Sequence, residues 1–107
     1  MRRFTAYLAG FAVVLMPALG DAGEQIISQK GKKFAPKIVE AKVGDTLKFQ
    51  NDDRFGHTLY SDTPGFQFTI GKQKPGDEDI IDLDKAGKFE VRCAIHPRMK
   101  LTVVVSE

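Results

Sequence analysis

One hundred and seven residues are enough for one small domain, and sixteen Lys and Arg against fourteen Asp and Glu leave the chain two charges above neutral. Two of the cations, Arg2 and Arg3, stand in an apparent leader, so residues 21–107 carry fourteen of each sign and show no basic excess of the kind that binds nucleic acid. A single cysteine excludes a disulfide framework within the chain, which leaves a metal as the other common staple for so small a core.

The first predicted element is a targeting segment. After the two arginines comes "AYLAGFAVVLMPAL", an apolar run broken by Pro17. Ala18 and Gly20 suit removal of residues 1–20, with a cut after Ala22 as the alternative. The run is short for a membrane span, so residues 21–107 are expected as an exported, periplasmic domain without a membrane anchor.

Short strands follow. "EQIISQK" and "KIVEAKV" are rich in β-branched residues, and "VGDTLKFQND" has a Gly-Asp turn before an alternation that sets Leu47 and Phe49 on one face. "HTLYSD" reads as another strand. "TPGFQFTIGKQKPGDED" carries too many glycines and prolines for a long element and reads as loop with one short strand inside. "DIIDLD", whose acids form a solvated face, then "GKFEVRC" and "MKLTVVVSE", complete the set. No segment offers twelve residues of helical periodicity. The expectation is an all-β antiparallel sandwich or barrel of about seven or eight strands.

The last two strands carry the chemistry. Alternation puts Phe89, Val91 and Cys93 on one face, and Met99, Leu101, Val103 and Val105 on one face of the next strand. The five residues between Cys93 and Met99 make a tight loop, with Pro97 restraining the backbone after His96. A thiol, an imidazole and a thioether therefore approach one point. The only other histidine, His57, follows the strand ending at Asn51. Once the leader is removed, the soft and imidazole inventory is two His, one Cys and one Met, and all four fit one site.

Each residue alone has an ordinary reading. Cys93 is a small buried hydrophobe, Met99 fills the core, His57 sits on the surface and His96 decorates a turn. Four such coincidences in one loop and one remote position are harder to accept than a shared metal. Thiolate, thioether and imidazole suit copper, and two imidazoles with a thiolate and a weak axial Met make a blue-copper site. Zinc fits less well, because thioether is a poor zinc ligand and structural zinc sites usually use more cysteines. A Cys–His nucleophile lacks an orienting acid and oxyanion donors, and no phosphate loop or HExxH is present. The chain reads as a non-enzyme.

These stretches resemble the cupredoxins, the small type 1 copper proteins of the plastocyanin, pseudoazurin and amicyanin group. The loop C-x-x-H-x-x-M with Pro97 after its histidine is most similar to that of amicyanin. The resemblance implies a Greek-key β-sandwich with one copper at one end, held by His57, Cys93 and His96 in the equatorial plane and by Met99 axially. It implies a monomer passing single electrons between redox partner proteins; copper delivery or storage is the alternative. Two positions depart from the pattern. Thr58 stands where many relatives have an Asn that links the ligand loops, and Arg98 stands where amicyanin presents an apolar residue. With Arg92 and Lys100, Arg98 is expected either to give that end a positive rim suited to an acidic partner or to be ordinary solvated surface.

Overall fold

The computed structural model describes residues 22–107, so the expected leader, residues 1–20, lies outside the described residues. Nine strands follow one another: β1 Glu24–Lys30, β2 Lys33–Ala35, β3 Ile38–Lys42, β4 Thr46–Asn51, β5 His57–Ser61, β6 Phe68–Gln73, β7 Glu78–Asp82, β8 Gly87–Cys93 and β9 His96–Ser106. They form two packed sheets in the orders β2-β1-β4-β7 and β3-β9-β8-β5-β6. The all-β sandwich is as expected.

The pairing corrects the expectation of a wholly antiparallel fold. β1 runs parallel to β4, with Ile27 opposite Phe49, and β3 runs parallel to β9, with Val39 opposite Val103. Parallel neighbours require a crossover. Here the chain supplies it by leaving the first sheet after β2, running as β3 in the second, and returning as β4. The strand count exceeds the expected seven or eight because β2 is only three residues long, too short to show a periodicity.

Alternation decides what is buried. β4 turns Leu47, Phe49 and Asn51 inward, β8 buries Phe89, Val91 and Cys93, and β9 buries Met99, Leu101, Val103 and Val105. Phe34, Ile27 and Leu59 complete the centre of the core. Each such side chain stabilises the fold by about 1.5–3 kcal/mol before entropy is counted. One end of the interior is polar instead: Gln29, Asn51, Asp53, His57 and Gln73 are all buried.

The two edges of the first sheet differ in charge. β2 and its flanking turns carry Lys30, Lys32, Lys33 and Lys37, whereas β7 and its flanks carry Asp77, Glu78, Asp79, Asp82 and Asp84 beside Lys74 and Lys85.

The turn before β4 depends on a carboxylate. Asp45 accepts the backbone N–H groups of Gly23 (2.8 Å) and Lys42 (2.9 Å). The Gly23 bond, then the Lys42 bond, hold its pKa below the ordinary value; burial opposes them and the Lys42 charge assists. A depressed pKa stabilises the fold fully above the unfolded value near pH 4 and loses that contribution as pH falls through the folded value. Asp45→Asn should therefore show a urea midpoint that declines less steeply below about pH 4 than that of the parent chain.

Candidate metal centre

His57 is the first residue of β5 and is fully buried. It faces Gln73 across the β5–β6 pair, next to a bulge between Thr58 and Leu59. Cys93 ends β8 beside a second irregularity. The register passes from Arg92 opposite Lys100 directly to Cys93 opposite His96, which leaves Pro97, Arg98 and Met99 looped out of the ladder. Bulges commonly re-aim side chains beside functional sites, and both irregularities here border this one. The tight turn is only Ala94 and Ile95, since β9 already begins at His96; the five-residue loop expected from sequence is shorter by that measure.

Three donor atoms meet at this point. His57 Nδ1 and His96 Nδ1 are 3.1 Å apart, and each lies 3.6 Å from Cys93 Sγ. A triangle with those sides has its centre about 2.0 Å from every corner, the length of a metal–imidazole bond and slightly less than the roughly 2.3 Å of a metal–thiolate bond. The rings meet edge to face, with centroids 4.9 Å apart and planes at 65°. The residues therefore fit a metal of trigonal N₂S preference, which is copper's. Met99 is buried at the start of the inward row of β9, three residues after His96, and packs in the apolar core.

An outer shell holds His57 in position. Asp53 Oδ2 lies 3.0 Å from His57 Nε2 and also accepts the Lys32 N–H at 2.8 Å. The carboxylate draws the imidazole proton to Nε2 and leaves the Nδ1 lone pair facing the other two donors. Burial pushes the Asp53 carboxyl up, but the bonds from the Lys32 backbone, the His57 ring and the Gly31 and Arg54 backbones outweigh it and hold the pKa below the ordinary value. Asn51 fixes the loop that carries Asp53: its Nδ2 donates to Phe55 O (2.8 Å) and Gln73 O (2.9 Å), and its Oδ1 accepts the Asp53 N–H (2.9 Å).

The reading from sequence missed Asp53 and Asn51. The available signal was "NDDRFGH", where Asp53 stands four residues before His57. His96 differs from His57 in being half-buried. Burial, then the charges of His57 and Lys32, lower its pKa, with Asp53 opposing. Thr58 also resolves simply. The Ala94 N–H donates to the Thr58 carbonyl at 2.8 Å, so the backbone joins the two donor segments.

If Asp53 orients His57, Asp53→Asn should retain the fold and weaken metal binding about 10–100-fold. Competition against a chelator of known affinity measures this; unchanged affinity would reduce Asp53 to a structural role.

A methylamine utilization protein MauL from Methylorubrum extorquens is 32% identical over 87 residues, which cover 80% of this chain and 75% of that protein. This chain belongs to the MauL family. A second MauL, from Methylophilus methylotrophus, is 31% identical over 101 residues and 92% of this chain, yet the chain spans only 58% of that relative's length. No protein-family model matches the chain. Among solved structures, a copper-containing nitrite reductase from Thermus scotoductus superposes with TM-score 0.76 at 29% identity, covering 89% of this chain but 27% of the reductase. A purple cupredoxin from Nitrosopumilus maritimus gives 0.69 at 24% identity, over 77% of this chain and 99% of that one. An amicyanin variant in its Cu(I) form gives 0.73 at 22%, over 82% and 87%. The MauL-family chain thus has the cupredoxin fold.

Proposed function

We propose that this MauL-family protein is a type 1 copper protein that passes single electrons between redox partners. In this reading His57 Nδ1, Cys93 Sγ and His96 Nδ1 would hold one copper ion, with Met99 as a further, weaker sulfur donor. The observation that carries the reading is the triangle of donors, with sides of 3.1, 3.6 and 3.6 Å. Copper, when bound, supplies a one-electron couple between Cu(I) and Cu(II), and soft and imidazole donors suit both states.

The chain's own residues do the rest. Cys93, 2% exposed, would offer its sulfur to the ion from the buried side of the site. Asp53 keeps the His57 proton away from the metal-facing nitrogen. Strands β5, β8 and β9 hold the donors in place before any ion arrives, so little rearrangement accompanies a change of charge. Half-buried His96 forms the edge nearest solvent, and electrons enter and leave there.

The wider setting belongs to the same proposal. Residues 1–20 direct export, residues 21–107 work as a monomeric periplasmic domain, and the relatives' name points to methylamine utilization as the pathway in which to seek donor and acceptor. An electron carrier contains no catalytic centre of its own. Among the described residues, the group formed by His57, Cys93 and His96 would be committed to that single ion.

Adding Cu(II) to the purified domain tests this. The expected result is an intense visible charge-transfer band and a reversible one-electron wave in voltammetry. A colourless protein that retains only Cu(I), with rapidly exchanging ligands, would overturn the carrier reading in favour of copper delivery or storage.

A further inference from the structure

Beside the donor cluster lies a groove of about 790 Å³, open to solvent. One wall comes from the β1–β2 turn and the β2–β3 link, the other from the start of β9. Five cationic residues line it, Lys32, Lys33, Lys37, Arg98 and Lys100, and no carboxylate does. All five are exposed. Of these five, only Lys100 has an ion-pair partner among the described residues, Glu90 at 3.8 Å. The groove is also apolar: Ile38, which is 65% exposed, lines it together with Pro97 and Met99. His96 forms part of the same lining.

Arg92, which the sequence assigned to the positive rim, is not among these residues. Its guanidinium donates to Glu90 Oε1 (3.4 Å) and to Pro97 O (3.1 Å), so it braces the looped-out residues instead. The lysines of the β1–β2 turn, remote in sequence, take its place. They are held against the site because Asp53 binds the Lys32 N–H and the His57 ring with one oxygen, while Lys32 Nζ lies 4.9 Å from the centre of the Phe55 ring.

We infer that this groove docks an acidic protein partner, whose carboxylates face the lysines and whose apolar side chain rests on Ile38 and Pro97 beside His96. Unpaired cations around an uncovered apolar floor cost little while solvated, and they favour a surface of opposite charge with a hydrophobic tip. The inference rests on the proposed electron-carrier reading, since it makes this partner the one that exchanges electrons through His96.

Binding can be read without reference to copper colour. Titrating ¹⁵N-labelled protein with a peptide of alternating glutamate and leucine should shift amide resonances at residues 32–38 and 96–102, with affinity falling as salt rises. Lys33→Glu with Lys37→Glu should weaken that binding by about tenfold or more and leave any visible copper spectrum unchanged. Glu78→Lys with Asp82→Lys, on β7, should change it less than about twofold. Shifts centred elsewhere, indifference to the Lys33/Lys37 change, equal binding of a lysine–leucine peptide, or tighter groove binding of phosphatidylglycerol vesicles would each overturn the inference. Groove binding by a protein that fails to turn blue would count against the copper reading alone.

Discussion

Serine at position 93 should abolish the visible band of the copper-loaded protein while leaving the sandwich folded. Cys93 is small, buried and flanked by two imidazole nitrogens at 3.6 Å. A hydroxyl fits that space and finds hydrogen-bond partners, so the metal-free chain should lose on the order of 1 kcal/mol. The loss of chemistry is far larger. Serine stays protonated near neutral pH, supplies no soft donor, and cannot give sulfur-to-copper charge transfer. Affinity should fall by more than the roughly 10–100-fold worth of an outer-shell partner. Visible absorption and chelator competition, with a urea melt of the metal-free variant, make the comparison. A variant that keeps the parent spectrum would remove Cys93 from the site.

Asn51→Ala should cause the larger loss of stability. Its amide closes three buried or half-buried contacts: to the carbonyls of Phe55 and Gln73 and to the N–H of Asp53. Alanine leaves all three backbone groups without that partner, at about 1 kcal/mol or more each. A loss of about 3–5 kcal/mol is a large part of the 5–15 kcal/mol that holds a small domain together, and it should lower Tm by about 12 °C or more. The same change frees the loop carrying Asp53, so metal affinity should fall too. A shift in Tm of only a degree or two would show that water replaces the amide at no cost.

These two residues also mark how far the sequence could be read. The place of Cys93 beside His96 was legible from residue type and local spacing: one thiol at a strand end, with His96 and Met99 at intervals of three behind it. The inward rows Leu47–Phe49, Phe89–Val91–Cys93 and Met99–Leu101–Val103–Val105 were legible for the same reason, since period-two alternation is a local property. Asn51 lies on the alternation of β4 as well, but a polar residue at a strand end says nothing about what it meets. Its partners come from the next loop and from β6, twenty-two residues away. Asp53 depends on Lys32, brought to it by the pairing of β1 with β4. The parallel pairs were hidden likewise, because strand direction depends on the route the chain takes between sheets. Local pattern thus carried the donors, while the side chains that aim them depend on tertiary contacts.

The separation of lysines at the β2 edge from acids along β7 has one more consequence. Equal numbers of opposite charges, if mixed, would make residues 21–107 indifferent to the direction from which another molecule approaches. Four of the cations at one border of a sheet and five of the anions at the other should contribute an electric dipole despite the lack of net charge. In dilute buffer such a molecule turns before it touches, presenting one flank to a negatively charged surface and the other to a positive one. Added salt should erase that preference without changing a single bond inside the protein.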